Sequence, residues 1–424
     1  MRICKAAAAI LVLSQLLTGC SVFSLSADEQ VTDLRPHKTL LTVLAGQSTS
    51  DAGTEEMIND VIEKRFPNIE LSWERVDWGE QFASQMNVKF AAGDVPDIMI
   101  GKAQDVATYV PSGNLAPVSA SLQAYVSSAA LPSVTVDRQV YGIPYDAMYQ
   151  GVLYNKDIFN KYGLKVPTTP PELAAIVQTL KTAGVVPYAS HFQESWYMGN
   201  ILMQFAMGEV FGSTPDWGNR FRKGDVSFST SQEFQRCFGD VEGVMSATWN
   251  DVFTIDQTEC DERFANGEAA MYITGTWSLQ AINAINPYMN VGIFPYPNQA
   301  GDAKLIYEPN MTFMISSKTA YSNDVNLVLQ TVLENQDLSS EILDYTKTVS
   351  LLRNQKAEVP LIIQDDIDRY QMANLVTDVN IGNTQLIWSY QNDLAVQLDD
   401  WLQGKTDLKS VLTYADANRT ASAP

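Results

Sequence analysis

The sequence predicts an α/β protein built on doubly wound, mostly parallel sheet. The first observation is the pace of alternation: between residues 39 and 100, apolar extended runs and amphipathic helical stretches follow one another with short turns between them. The second is the character of the extended runs. Thr39–Leu44 and the stretch from Val95 to Ile100 are nearly all apolar, as strands covered by helices on both faces must be. Composition sets the scale. At 424 residues, 46% hydrophobic and 18% charged, the chain is globular and long enough for two or three ordinary domains.

The chain opens with Arg2 and Lys5, followed by an apolar run, Ala6–Leu17, broken only by Ser14 and Gln15. That run is too short for an ordinary membrane span and right for a secretory leader. Leu17-Thr18-Gly19-Cys20 fits a lipobox, in which cleavage precedes the cysteine and the Cys20 thiol carries lipid. Residues 1–19 are therefore expected to be a lipoprotein signal peptide. Residues 20–38, polar, without apolar period and containing Pro36, are expected to be the lipidated cysteine and a flexible spacer. The expected location is extracytoplasmic, on the outer face of the cell membrane, with membrane contact only through the lipid on Cys20. A formal net charge of −21 argues against nucleic-acid partners and against adhesion to anionic lipid. Cys4 leaves with the leader, so Cys237 and Cys260 remain in an oxidising compartment, free to form a disulfide only if their Cα atoms approach within roughly 7 Å. The chain has two histidines, His37 and His191, and neither a CxxC nor an HExxH motif, so no metal site is expected. It also lacks a G-x-x-x-x-G-K-[ST] phosphate loop, and no cofactor is expected.

Along the ordered part, the strand Thr39–Leu44 empties into a polar loop from Gly46 to Asp51. A helix follows from about Thr54 to Arg65, with Met57, Ile58, Val61 and Ile62 at helical spacing, stopped by Phe66-Pro67. Ile69–Arg75 is the next strand, Trp78–Phe90 an amphipathic helix closed by Gly93, and the run from Val95 to Ile100 a buried strand. In open α/β sheets ligands sit at the carboxyl ends of strands, so Gln47, Ser48 and Lys102 are candidate contacts. Ile143–Asp146 and Gln150–Tyr154 read as extended segments crossing between two lobes, which would turn Asp146 and Tyr149 to a cleft. Thr169-Pro170-Pro171-Glu172 is a capping box with proline in the first helical turn, and fixes a helix start.

Val185–Ala189 is a strand that empties into His191-Phe192-Gln193-Glu194-Ser195-Trp196-Tyr197. Acidic and aromatic groups this dense after a strand suit a site wall: a carboxylate accepts from hydroxyls while a ring covers an apolar face. Glu194 and Trp196 are the candidates. Leu202 to Phe264 reads as mostly helical, with a polar loop over Thr214–Asp225. Next come a turn at Asn266-Gly267, a short apolar strand Ala269–Ile273, a break at Thr274-Gly275-Thr276, and a helix starting at Trp277-Ser278. Gly275 suits a backbone that must turn tightly or be closely approached. Trp277, beside the free N–H groups of a helix start, suits a ligand with apolar faces and hydroxyl edges, although its spacing would equally serve a core aromatic. Val291–Pro297 is a strand running into a turn, and Leu305–Ile315 a return crossover that would bring Glu308 and Asn310 to the cleft. Helices close the chain at Val325–Leu333, Asp337–Lys347 and Gln385–Leu402, and the segment from Tyr414 onward reads as frayed.

Several of these stretches together resemble the extracellular solute-binding proteins of sugar ABC importers, family 1, of the maltose and multiple-sugar type. The family signature F-x-x-G-x-A-A-M-x-x-x-G-x-W is supplied by Phe264, Gly267, Ala269, Ala270, Met271, Gly275 and Trp277. The pattern Y-G-I-P, L-Y-x-N-K-x-x-F and P-T-T-x-x-E-L is matched from Tyr141 through Leu173, with Tyr154-Asn155-Lys156 one residue tighter than the commoner form. Phe90-Ala91-Ala92-Gly93 with Pro96-Asp97-Ile98 adds an N-terminal match. The resemblance implies a two-lobe periplasmic-binding-protein-like fold of type II, with the ligand cleft at the hinge. Lobe 1 would be 39–147 and 307–350, and lobe 2 148–306 and 351–418. It implies that Trp277 stacks on a bound sugar and that Trp388 does so in a comparable place. It implies a monomer that captures a carbohydrate by hinge closure and delivers it to permease subunits served by their ATPase, with no catalysis of its own.

Two rival readings survive on chemistry. A secreted glycoside hydrolase would use the same aromatics with two carboxylates about 5–5.5 Å or about 6.5–9.5 Å apart, and Asp146, Glu194 and Glu308 supply acids. The same fold could instead bind a polyamine or a metal chelate. Clustered aromatics favour sugar, and unpaired carboxylates would favour a cation. A charged sugar such as a uronate would want a cation in the cleft, and Lys102 is the one obvious candidate.

Overall fold

A computed structural model describes residues 38–46, 53–76, 80–355 and 360–422. The candidates Gln47, Ser48 and Cys20 lie outside the described residues. In chain order the elements that position the site begin with strand β1 (Thr39–Gly46), helix α1 (Thr54–Arg65), β2 (Ile69–Val76), α2 (Glu80–Ala92) and β3 (Ile98–Gly101). The short β4 (Ile143–Pro144) leads into β5 (Asp146–Asn155), α3 (Pro170–Thr182), β6 (Val186–Ala189) and α4 (Ser195–Ala206). Then come α5 (Gln232–Met245), α6 (Gln257–Ala265), β7 (Ala269–Gly275), α7 (Ser278–Ile285) and β8 (Val291–Phe294). The return is made by β9 (Leu305–Pro309) and β10 (Thr312–Ile315), followed by α8 (Ser322–Glu334), α9 (Gln336–Thr346), β11 (Val349–Ser350) and β12 (Val376–Asp378). Helices α10 (Trp388–Leu402) and α11 (Leu408–Ala417) end the fold.

Local chemistry sets most of these boundaries. Helix α1 carries Glu55 and Glu56 in its first turn and Lys64 and Arg65 in its last, which complements the helix dipole at both ends. The capping box at α3 forms: Glu172 accepts from the backbone N–H groups of Thr168 and Thr169 at 2.7 and 3.2 Å. Two loop expectations fail. Trp217–Lys223 is a helix closed by Gly224 at φ 82°, where a loop was anticipated, because Trp217 and Phe221 are buried one turn apart. The described C-terminal segment, from Tyr414 to Ser422, is not frayed either. The Asp416 carboxylate accepts from the N–H groups of Phe228 and Ser229 at 2.8 and 3.2 Å, and the Arg419 guanidinium lies 5.6 Å from the Phe221 ring centroid. Those partners lie far back in the chain, so no local pattern announces them.

The strands form a five-stranded sheet, β2-β1-β3-β10-β4, and a seven-stranded one, β12-β9-β5-β7-β6, with β8 and β11 also paired to β5. One strand in each runs against all the rest: β10 in the first sheet and β5 in the second. These are the strands that arrive from the other sheet. In the first sheet alternate side chains feed two separate cores. Leu41, Val43, Ile98, Ile100 and Phe313 face one, and Leu44, Met99 and Met314 face the other. That double coverage is why these strands are apolar throughout.

The outward crossover β4–β5 and the return β9–β10 lie side by side as one antiparallel ribbon. Ile306 pairs with Gln150 and Pro309 with Ala147 on one side, and Thr312 with Pro144 on the other. Backbone bonds bridge the junction, Tyr145 N–H to Met311 O and Asn310 N–H to Asp146 O, both at 2.8 Å. A third crossing stretch joins here: Ser350 pairs with Asp146, and Leu351 N–H donates to Tyr145 O at 3.0 Å. Cys237 and Cys260, considered above as a disulfide pair, are free and buried thiols. Each sits on the inward face of its own helix, α5 and α6, packed in the apolar core of the second sheet.

Candidate functional site

A cavity of about 210 Å³ lies where elements of the two sheets meet. Phe82 on α2 and Lys102, Gln104 and Asp105, just past the carboxyl end of β3, line it from the first sheet. From the second come Met148 and Gln150 on β5, Trp196, Asn200, Met203 and Gln204 on α4, Gln257, Trp277, Glu308 on β9, Trp388 and Gln391. Asn310 joins them at the ribbon.

Trp277 is placed by the break after β7. Thr276 N–H donates to Tyr149 O at 2.8 Å, and the Thr276 hydroxyl accepts from Tyr149 N–H at 3.2 Å, which fixes the turn against β5. The indole then folds back over the strand end. A Cβ at Gly275 would stand 1.9 Å from the Trp277 ring. Gly275 therefore does not line the cavity; what approaches its backbone is the Trp277 side chain itself. On the cavity side, Lys102 Nζ lies 5.9 Å from the centroid of the same ring, within cation–π range.

The floor is a directed chain of amides. Gln204 Nε2 donates to Asn200 Oδ1 at 2.9 Å, and Asn200 Nδ2 to Gln150 Oε1 at 3.2 Å. Gln150 Nε2 donates to Glu308 Oε2, and the other carboxylate oxygen, Oε1, faces Lys102 Nζ at 3.6 Å. Lys102 belongs to the first sheet and Glu308 to the second, so this ion pair spans the cleft. Asp105 is buried beside them. Burial pushes its carboxyl up to about 6, against the pull of the Lys102 charge and backbone N–H, with Glu308 adding to the rise.

Of the residues singled out from sequence, Lys102, Trp196, Trp277, Glu308, Asn310 and Trp388 line this cavity. Asp146, Tyr149 and Glu194 do not, which corrects their expected placement. Asp146 is 1% exposed and pins the crossover ribbon, its carboxylate accepting from Met311 N–H at 2.7 Å. Tyr149 is a core residue whose hydroxyl accepts from Gln371 Nε2 at 2.8 Å and whose ring lies 5.2 Å from that of Tyr307. Glu194 stands one layer behind the wall. It accepts from Gln257 N–H at 2.9 Å, approaches His191 Nδ1 to 2.8 Å and takes a side-chain hydrogen bond from Trp196. Burial opposes its ionisation, but these partners outweigh burial and hold its carboxyl below the usual range. His191 is fully buried, and burial keeps its pKa low.

The amides Gln104, Gln150, Asn200, Gln204, Gln257 and Gln391 escaped the sequence reading. One signal was available. Trp196, Asn200 and Gln204 recur every four residues on α4, a polar stripe on a helix otherwise buried and apolar from Tyr197 onward. The helix widens into a π turn at Met207–Phe211, a geometry that recurs at functional sites.

Residues 45–336 match the family described as bacterial extracellular solute-binding protein. The chain is 24% identical over 320 residues to the multiple sugar-binding protein of Streptococcus mutans, which covers 73% of either chain. Among solved structures it resembles the solute-binding protein RafE in complex with raffinose, with a TM-score of 0.76 at 19% identity over 91% of this chain and 100% of that one. A sugar transporter protein of Bacillus licheniformis in complex with stachyose gives a TM-score of 0.76 at 16% identity over 90% of this chain and 99% of that one. The fold is thus the two-lobe periplasmic-binding-protein-like α/β fold. With the family matched over residues 45–336, well over half of its length, this chain belongs to the bacterial extracellular solute-binding proteins.

Proposed function

We propose that the cavity binds a carbohydrate, an oligosaccharide by the company the chain keeps, and that hinge closure captures it for a membrane permease. As a bacterial extracellular solute-binding protein, the chain works outside the cytoplasm as the recognition component of an ABC importer. The observation that carries the sugar reading is that Trp196, Trp277 and Trp388 face one cavity whose remaining polar lining is mainly carboxamide. Indole faces cover the apolar faces of a pyranose, and an amide offers its hydroxyls both a donor and an acceptor. The names of the relatives, several of them sugar-binding proteins, point the same way.

Lys102, Trp196, Trp277, Glu308, Asn310 and Trp388 are the ligand contacts in this reading, with Gln150, Asn200, Gln204 and Gln257 beside them. Lobe 1 (39–147 and 307–350) and lobe 2 (148–306 and 351–418) move about the crossover ribbon, with Asp146–Ala147, Tyr307–Pro309 and Val349–Ser350 going with lobe 2 because they pair in the second sheet; the side-by-side pairing of all three crossing stretches at Tyr145 and Asp146 supports this reading. Ligand touches both lobes only when they are together, so binding shifts the population toward the closed form. The chain is a binding protein without catalysis. Of the three acids named from sequence, Asp146 and Glu194 are committed elsewhere, and Glu308 is held by Gln150 and Lys102. It acts as a monomer, tethered through lipid on Cys20.

The test is intrinsic tryptophan fluorescence of the purified protein titrated with mono- and oligosaccharides. A saturable change with one sugar class, lost in Trp277→Ala, and no new reducing ends on prolonged incubation are the expected results. A flat response to every sugar, with a response to polyamines or chelated metals, sinks the carbohydrate reading. The anchor is tested separately: Cys20→Ser should leave the membrane fraction and lose metabolic labelling by palmitate.

A further inference from the structure

We infer, resting on the carbohydrate reading, that this site is built for an uncharged sugar and that the Lys102–Glu308 ion pair sets that preference. Among the described residues lining the cavity, the charged side chains are Lys102, Asp105 and Glu308. The single cation is already engaged. Lys102 Nζ faces Glu308 Oε1 at 3.6 Å and lies over the Trp277 ring at 5.9 Å, and its charge also acts on the buried Asp105 carboxyl. A uronate entering the cleft would have to take Lys102 from Glu308, leaving a carboxylate only 5% exposed without its counter-ion and adding a further negative charge beside it. An ammonium on the ligand meets the reverse problem, because Glu308 already satisfies Lys102 and Gln150.

The amide chain turns this charge balance into a pattern. A carboxylate can only accept, so Gln150 must present an N–H to Glu308; its oxygen then accepts from Asn200, whose oxygen accepts from Gln204. Gln150 and Asn200 each keep one further N–H and one further carbonyl lone pair, whereas Gln204, whose second N–H goes to the Thr274 carbonyl at 3.4 Å, keeps acceptor capacity alone. A sugar hydroxyl can meet both, since it donates and accepts, whereas a carboxylate meets only the donors and an ammonium only the acceptors.

The inference is tested on the full chain by calorimetric titration with raffinose, stachyose and maltotriose. The best binder is then compared with its uronate, made by oxidising its primary hydroxyls, and with its amino analogue. The wild type should prefer the neutral sugar over both by at least roughly tenfold, the scale of one lost charge-assisted contact. Glu308→Gln keeps the shape, removes the anion and releases Lys102, so the uronate-to-neutral affinity ratio should rise by at least roughly tenfold. Lys102→Met should move the ratio the other way, toward the amino analogue, and serves if the Glu308 variant does not fold. Each ratio is taken within one protein, so a general loss of stability leaves it unmoved. A wild type that binds the uronate or amino analogue as well as the neutral sugar, or variants that leave both ratios unchanged, overturn the inference. If no sugar of any charge binds, the carbohydrate reading itself fails.

Discussion

The closest backbone approach in the site gives the sharpest prediction, because it needs no ligand. Gly275 lies under the Trp277 indole: an added Cβ would stand 1.9, 2.2 and 2.6 Å from three ring carbons. Carbon atoms settle at about 3.5–4.0 Å, so in Gly275→Ala the ring must retreat by roughly 1.5–2 Å. Overpacking of this kind typically costs about 1–3 kcal/mol. Trp277→Ala removes the obstacle. In that background the three atoms nearest the new Cβ are gone, and Gly275→Ala should gain the usual advantage of alanine over glycine within a strand, about 0.5–1 kcal/mol. A double-mutant cycle followed by far-ultraviolet circular dichroism in urea should therefore show a coupling of roughly 1.5–4 kcal/mol, with the second substitution rescuing part of the first. Costs that add to within about 0.5 kcal/mol would refute the claim that this glycine exists to seat the indole. Because Gly275 also pairs with Gln150 across the strands, Gly275→Ala alone should weaken ligand binding as well.

Three further outcomes follow from other parts of the molecule. Burial pushes the Asp146 carboxyl from 3.8 up to about 6, so the folded protein holds this proton more tightly than the unfolded chain. Its contribution to stability is full below about pH 4 and is lost as pH rises through about 6, about 3 kcal/mol at ~1.36 kcal/mol per pKa unit. Asp146→Asn should flatten that slope when unfolding free energies are measured across pH 4 to 7, and an unchanged slope would show that the carboxyl titrates normally. Asp416→Ala removes the acceptor of the Phe228 and Ser229 N–H groups and should cost about 1–3 kcal/mol in urea unfolding, where a frayed terminus would cost nothing. Cys237 and Cys260 are buried, with their pKa values pushed well up by that burial, so peptide mapping should find both unlabelled by a thiol reagent in the native protein and both labelled after denaturation.

Much of the architecture was legible in short windows of sequence. The capping box at Thr169–Glu172, the charged ends of Thr54–Arg65 and the apolar runs of the first sheet are decided by neighbours within a turn or a strand, and the structure has them where the residues put them. The same holds for the break that presents Trp277, since glycine, threonine and a new helix start are all adjacent in the chain. Tertiary structure alone decided which polar residues meet. Gln150 and Glu308, 158 residues apart, share a hydrogen bond only because β5 and β9 are neighbours in the ribbon. Asp146 looked like a cleft residue because it sits at a crossover, yet at a crossover the backbone of three segments converges, and the carboxylate is consumed by that backbone. Likewise Asp416 holds the C-terminus through partners 188 and 187 residues away, and two cysteines close in sequence stay apart because each faces the core from a different helix. Periodicity and capping act through contacts a few residues long, so they can be read from the chain. The charge and hydrogen-bond pattern of the cleft depends on which strand ends and helix faces are brought together, and only the fold decides that.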